Sequence, residues 1–451
     1  MKVTVYITAY NYGEFVEEAI NSVLYQSFED WELIVINDGS TDNTREVISE
    51  YENDPRVKII HQENKGLNVS NNIALRLSRG EYIMRLDADD FLHKQALELL
   101  SRYLDDNLNR DLVFPNYFEV DLDSIPIREV KIRKIADGDL LDMPAHGACT
   151  MFRTSVLRML GGYLEDYSCQ DGYELWLRFI QNHSPGNIAD SLFYYRQHPS
   201  SLSKDKEKIL RTRRQIKSDF INSRKEKLPK VAGVILASRQ TLFKENDPFC
   251  VLNGQPLIDY TINSVKNARN VDTVIVSSES IEVLNYVAEH IPVIKHHRNE
   301  NLSHRDVKRE DILLSVRELI KKECPDVEYI CVLNINSPLR SWEHIDWAIN
   351  TLKVFDLDKV LSVDEELGNL YKHAKNGLES LNQEQQSLKL ERDSVFQENG
   401  AITILPLENF DAKKTKLKVG HISLLPYESV RINSKYEFWL AGQILNSKGI
   451  F

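Results

Sequence analysis

The 451-residue chain is short of cysteine, glycine, proline and positive charge. Its five cysteines, Cys149, Cys169, Cys250, Cys324 and Cys331, are odd in number, scattered and without a C-x-x-C pair. That spacing excludes a disulfide framework and a structural zinc site, and it fits reduced thiols in a cytoplasm. With only 18 Gly and 14 Pro, fibrous and low-complexity classes fall away. No apolar run approaches the roughly 18 residues of a membrane span. Met1-Lys2-Val3-Thr4 leads straight into a strand-like run, so no signal peptide is expected. A net charge of −12 argues against a general nucleic-acid binder.

What is present is a soluble-type composition, 42% apolar and 27% charged, in a chain long enough for two to three domains. Val3–Thr8 reads as a strand, 14–26 as an amphipathic helix, and Leu33–Ile36 as a strand buried on both faces. Asn37-Asp38-Gly39-Ser40-Thr41-Asp42 follows, where Ser40 or Thr41 can cap the next helix. This βαβ order predicts an α/β fold with a doubly wound, mostly parallel sheet. A further apolar run, Tyr82–Leu86, ends in Asp87-Ala88-Asp89. Two carboxylates one residue apart at a sheet's carboxyl edge suit Mg²⁺ or Mn²⁺ shared with substrate phosphates. An acidic turn after a strand gives the same pattern.

The residues then carry a resemblance. Thr8-Ala9-Tyr10-Asn11, Gln26-Ser27-Phe28 and the stretch Glu32 to Asp42 look like the opening of a family 2 glycosyltransferase. Asn64-Lys65-Gly66, Arg79-Gly80-Glu81-Tyr82-Ile83 and Leu86-Asp87-Ala88-Asp89-Asp90 continue the likeness. Gly161-Gly162-Tyr163, Gln170 to Trp176 and Tyr195-Arg196-Gln197-His198 complete it over about the first 200 residues.

The resemblance implies a metal-dependent, inverting transferase acting on a nucleotide-diphosphate sugar. Thr8, Tyr10 and Asp38 resemble the base and ribose site, with Tyr10 able to stack and Asp38 able to accept from a uracil imide. Asp87 and Asp89 resemble the pair that meets Mn²⁺ or Mg²⁺, Asp89 the more direct ligand and Asp90 a structural cap. Asn72 and His198 resemble further donor-side contacts. Asp171 resembles the general base, in a motif that usually reads Glu-Asp-x-Asp-Leu-Trp but here has Gln170 and Gly172 around one carboxylate. Glu174 is the alternative base. A UDP-sugar is the favoured donor, with GDP- and dTDP-sugars open. A glycan or lipid-linked glycan is the expected acceptor.

Residues 204–229 concentrate Lys and Arg at roughly helical spacing and read as a linker helix, with contact to an anionic membrane face as the other reading. A second α/β pattern occupies 230–451, after a first domain of 1–203. Its strand candidates are Val231–Leu236, Thr273–Val276, Val293–Lys295, Tyr329–Asn334, Lys359–Ser362 and Ala401–Leu405. The expected architecture is therefore two tandem Rossmann-like nucleotide-diphosphosugar transferase domains.

Ile235 to Arg239, Leu252 to Ile258, Asn336-Ser-Pro-Leu-Arg340, Glu398 to Ile402 and Ser429 to Asn433 resemble the cytidylyltransferases that activate acidic nonulosonic sugars. The stretch Ala237 to Asp247 lacks the glycines that cradle a triphosphate there, and Arg431-Ile432-Asn433 stands where that family carries metal-binding aspartates. The second half is therefore expected to keep the fold without nucleotidyl transfer and to serve as a scaffold or homodimer contact. A bifunctional enzyme and a non-catalytic assembly protein are the competing readings.

Overall fold

The computed structural model describes residues 1–447 apart from 137–138, 143, 146, 168, 199–204, 240–243, 305–306, 367–369, 375–376, 381–394 and 409–416. Two compact units emerge, one built on Met1–Arg213 and the other on the chain from Arg214 onward. The division falls inside the helix Lys206–Arg224. No described helix is long and apolar enough to cross a membrane.

The first unit runs β1 (Val3–Ala9), α1 (Val16–Leu24), β2 (Trp31–Asp38), α2 (Thr44–Ser49), β3 (Val57–Gln62), α3 (Leu67–Leu77) and β4 (Tyr82–Asp87). There follow β5 (Phe91–Leu92), α4 (Ala96–Asp106), β6 (Leu112–Val120), β7 (Pro126–Val130), β8 (Met151–Arg153), α5 (Thr154–Met159), α6 (Asp171–Phe179), β9 (Pro185–Arg196) and α7 (Lys206–Arg224). The sheet order is β3-β2-β1-β4-β8-β6-β9-β5, with β7 beside β6.

The four strands β3, β2, β1 and β4 are parallel, so their carboxyl ends meet at one edge. All eight residues of β2 are buried, as expected for a strand with helices on both faces. Alternate side chains divide between two cores. Val5, Ile7, Leu33 and Val35 pack with Ala19, Val23 and Leu100 on one face. Tyr6, Ile34 and Ile36 pack with Ala74, Leu75 and Trp176 on the other.

The second unit contains β10 (Val231–Leu236), the short pair β11 (Val251–Leu252) and β12 (Gln255–Pro256), α8 (Leu257–Asn267), β13 (Thr273–Ser278), α9 (Ile281–His290) and β14 (Ile294–His297). It continues with α10 (Arg309–Glu323), β15 (Tyr329–Asn334), α11 (Trp342–Val354), β16 (Lys359–Glu366), β17 (Tyr371–Ala374), β18 (Gly377–Ser380), β19 (Val395–Pro406), β20 (Val419–Ser423) and α12 (Lys435–Ser447). Its main sheet is ordered β14-β13-β10-β15-β19-β16-β20. The first four strands are parallel, and β19 runs against both neighbours. Both units are thus α/β, each a largely parallel sheet flanked by helices.

Two local expectations change. Neither Ser40 nor Thr41 caps α2. Instead Asp42 Oδ1 accepts from the Thr44 N–H at 3.0 Å, and Ser40 Oγ accepts from the Asn11 N–H at 3.0 Å. The basic run on α7 also spends much of its charge internally. Arg213 donates to Gln170 Oε1 at 2.6 Å, Arg214 lies over the Trp347 ring, and the buried Lys217 donates to Thr351 Oγ1 at 2.9 Å. Those three cations are not part of a free basic stripe.

Candidate active site

The carboxyl edge of the first sheet gathers most of the residues singled out in the sequence. In the strand register Thr8 is the partner of Ile36 on one side and of Asp87 on the other. Asp38 is the partner of Gln62. The loop after β1 is pinned to the loop after β2: Asn11, at φ 60°, accepts from the Thr41 N–H at 2.8 Å, and the Gly13 N–H donates to Asp42 at 3.0 Å. Tyr10 stands on the first of these loops, 47% exposed and open to a stacking partner.

Asp38 is buried, and its carboxylate accepts from the Lys65 and Gly66 N–H groups at 2.8 and 2.9 Å and from Gln62 Nε2 at 2.6 Å. It therefore braces the Asn64-Lys65-Gly66 turn, where the resemblance implied direct contact with a base. Gly39 is required beside it, because its φ is +77° and a Cβ there would lie 2.5 Å from the Asn64 nitrogen. Asn72 is likewise committed. It accepts from the Tyr163 N–H at 2.9 Å and donates to the Tyr163 carbonyl and to Glu165, both at 2.9 Å. That amide fastens the Gly161-Gly162-Tyr163 turn to α3, where a donor contact was expected.

Asp87 closes β4 and pairs with Arg85 two residues earlier, on the same strand face, at 2.8 Å from Nε to Oδ1. Asp89 accepts from, or shares a proton with, His198 Nε2 at 2.7 Å. The His198 ring is buried and stacks on Phe15, with Tyr12 edge-on to it. Burial, and then the charges of Asp89, Asp87 and Asp90, push the Tyr12 phenol well above its ordinary pKa. A concentrated negative field at this edge is the physical reason.

Asp90 does not cap a helix, because α4 begins at Ala96; its Oδ1 accepts from the Arg196 N–H at 2.9 Å. Arg196 was given no role beyond its place in the Tyr195-to-His198 motif, yet it organises the edge. Its buried guanidinium donates to the Asp89 carbonyl at 2.8 Å, the Leu122 carbonyl at 2.8 Å and Ser124 Oγ at 3.0 Å, and it also pairs with Glu18. No local pattern announces this, since Glu18 and Ser124 are far away in the chain. Arg85 was legible, because an i, i+2 spacing on a strand places it beside Asp87.

Asp171 is the first residue of α6, and its side chain lies outside the described residues. The backbone still locates it. A Cβ on Gly147 would lie 2.5 Å from the Arg85 guanidinium, and one on Gly172 would lie 3.9 Å from the Gly147 Cα. The start of α6 therefore approaches the Arg85–Asp87 pair through two glycines that keep the gap narrow. Glu174 is buried and held by Arg178 through contacts of 2.7 and 2.6 Å. That arginine also donates to the Gly162 carbonyl at 2.7 Å, so Glu174 is an anchor for α6 and is removed as a base. Among the described residues no three His, Cys, Asp or Glu side chains form a complete metal cage.

An α/β unit whose parallel strands end in this acidic, arginine-backed edge has the build of a domain that meets its ligand at that edge. Residues 4–161 match the family described as "Glycosyl transferase family 2". The chain is 31% identical over 225 residues to the UDP-Glc:alpha-D-GlcNAc-diphosphoundecaprenol beta-1,3-glucosyltransferase WfgD of Escherichia coli, covering 49% of this chain and 87% of that protein. It is 36% identical over 203 residues to the poly(ribitol-phosphate) beta-N-acetylglucosaminyltransferase TarP of Staphylococcus aureus, covering 43% and 62%. It is also 46% identical over 98 residues to the chondroitin synthase of Escherichia coli, and there it spans only 14% of the relative's length. The chain belongs to glycosyl transferase family 2.

Proposed function

We propose that the first unit transfers a hexosyl or N-acetylhexosaminyl group from a UDP-sugar to a hydroxyl of a glycan or lipid-linked glycan, with inversion. The observation that carries this reading is the Asp89–His198 pair just beyond β4, two residues after Asp87, the register partner of Thr8. The name of WfgD supports a UDP-linked glucose donor, and that of TarP an N-acetylglucosaminyl group as the sugar moved.

Asp87 and Asp89 suit Mn²⁺ or Mg²⁺, because such ions accept one or two carboxylates and complete their shell with substrate phosphates. When bound, the ion neutralises charge on the departing nucleoside diphosphate. Tyr10 offers a stacking face for the base, and the turn braced by Asp38 shapes the donor pocket. His198 orients Asp89, and Arg85 holds Asp87 in place. In this reading Asp171, the first residue of α6, takes the proton of the attacking acceptor hydroxyl, so that one displacement at the anomeric carbon inverts it.

We further read the second unit as a cytidylyltransferase-like fold without nucleotidyl transfer. Arg239, on the loop where a triphosphate would be held, is engaged by Asp247 at 3.2 Å and by Glu282 at 2.6 Å. A cation already paired with two carboxylates is poorly placed to receive phosphate.

The test is UDP release from a panel of UDP-, GDP- and dTDP-sugars, with Mn²⁺ or with EDTA, for the native protein and Asp89→Asn. Mn²⁺-dependent UDP release that disappears in Asp89→Asn supports the reading. Release that is indifferent to that substitution overturns it.

A further inference from the structure

The second sheet ends in a different kind of edge. At the carboxyl end of β15, Asn334 Nδ2 donates to the Gly400 carbonyl at 2.8 Å. Gly400 has φ +70°, and a Cβ there would press on Arg431 Nη1 at 3.2 Å. A side chain at this position would therefore be strained and would also crowd the guanidinium. Arg309 begins α10, so it too reaches this edge of the sheet. Its Nε and Nη2 are fully buried and have no hydrogen-bond partner among the described residues.

Burial is the main force pulling Arg309 below its ordinary pKa; Glu398 opposes it, and the neighbouring Arg431 adds to it. Arg431 is therefore near enough for the two positive charges to repel, and its Nη1 lies beside Gly400 at the same carboxyl edge where α10 begins. Neither forms an ion pair among the described residues, although Glu398 and Glu310 lie near enough for their charges to be felt. Two neighbouring cations, one with buried donor nitrogens that have no partner among the described residues, cost stability unless something pairs with them. One acceptor is also orphaned nearby. The Ile432 N–H donates to the Asn336 carbonyl at 2.8 Å, while Asn336 Oδ1 is buried with no donor among the described residues.

We propose that Arg309 and Arg431 form a metal-independent site for a small hydroxylated anion. The phosphate or carboxylate of a sugar-sized molecule takes the guanidinium donors, and a hydroxyl donates to Asn336 Oδ1. Donor geometry favours this assignment, because guanidinium forks match both oxyanions in two-point contact. Helix α10 strengthens it, since the positive end of its dipole faces the same space. The site lies wholly within the second unit and does not depend on the glycosyl-transfer reading.

The experiment is calorimetric titration of the full chain in EDTA with inorganic phosphate, glucose 1-phosphate and glucuronate. At least one should bind at millimolar concentration or below. The two phosphates and glucuronate distinguish a phosphate ligand from a carboxylate one. Arg431→Gln and Arg309→Met should each weaken binding by about tenfold or more, the range for a hydrogen bond to a charged group. Asp89→Asn should leave binding intact, which separates this site from the donor site. In ligand-free protein Arg309→Met should raise the melting temperature, because it removes an unpaired buried cation. Two results overturn the proposal: no binding by any of the three anions, or binding that both arginine substitutions leave unchanged.

Discussion

The two units share a parallel α/β scaffold and place opposite charge at the same edge of it. In the first, the strand ends present Asp87, Asp89 and Asp90, each tied to a basic partner behind it: Arg85, His198 and the backbone of Arg196. In the second, the corresponding edge presents Arg309 and Arg431 without ion pairs among the described residues, while Arg239 is neutralised by Asp247 and Glu282. A fold of this type fixes where a ligand is met and leaves the sign of the ligand's complement to a few side chains. An acidic edge backed by buried arginines invites a cation and its phosphates. A basic edge with orphaned donors invites an anion directly.

The comparison breaks most sharply at Asp89. Asp89→Asn should lower sugar transfer about 10³-fold, the scale of losing one preorganised electrostatic contact, with the melting temperature nearly unchanged. Steady-state UDP release beside a thermal melt checks both halves of that statement. Asp171→Asn should lower turnover about 10²-fold through loss of the base, with the donor KM little altered. If KM rises and kcat holds, Asp171 binds substrate and is not the base.

Arg196→Met should destabilise the first unit by about 3 kcal/mol, because it leaves Glu18 and two backbone carbonyls without their buried donor. Denaturant unfolding should show this loss, and a shift below about 1 kcal/mol would reduce the arginine to a bystander.

A smaller effect is expected at Glu428 in the second unit, which meets His344 at 3.1 Å, Arg214 at 3.2 Å and the Leu425 N–H at 2.9 Å. Burial works against its charge, but these partners outweigh it and hold the carboxyl down at about 2. A depressed acid contributes stability above its ordinary value of 4.5, and that contribution is lost as the pH falls toward about 2. Glu428→Gln should cost about 1–2 kcal/mol at neutral pH and flatten this acid limb of the melting curve. The least effect is expected from Arg239→Ala, whose exposed ion pairs should leave the melting temperature where it is.

Much of the architecture was legible along the chain. Val231–Leu236 and Tyr329–Asn334 are strands with the bounds their apolar runs suggest. Period and β-branching report local structure because each strand is buried on both faces by its own sheet. The sequence also placed Asp87 and Asp89 at the end of a strand, since an apolar run that stops in carboxylates has to stop at an edge. The division into units was less legible, because it falls within a continuous helix whose periodicity does not break there.

The partners were decided in three dimensions. Nothing local says that Asp38 holds the turn at Lys65, that Asn72 fastens Tyr163, or that Glu174 is taken by Arg178 and its carbonyl contacts. Crossover connections bring the ends of β1, β2 and β4 together across dozens of residues, and in the second unit they bring the charge of Arg431 within reach of Arg309. Sequence fixes which residues reach an edge, because side-chain direction follows backbone period. Tertiary structure decides which of them are already satisfied, because buried polar atoms take their partners from wherever the fold delivers them.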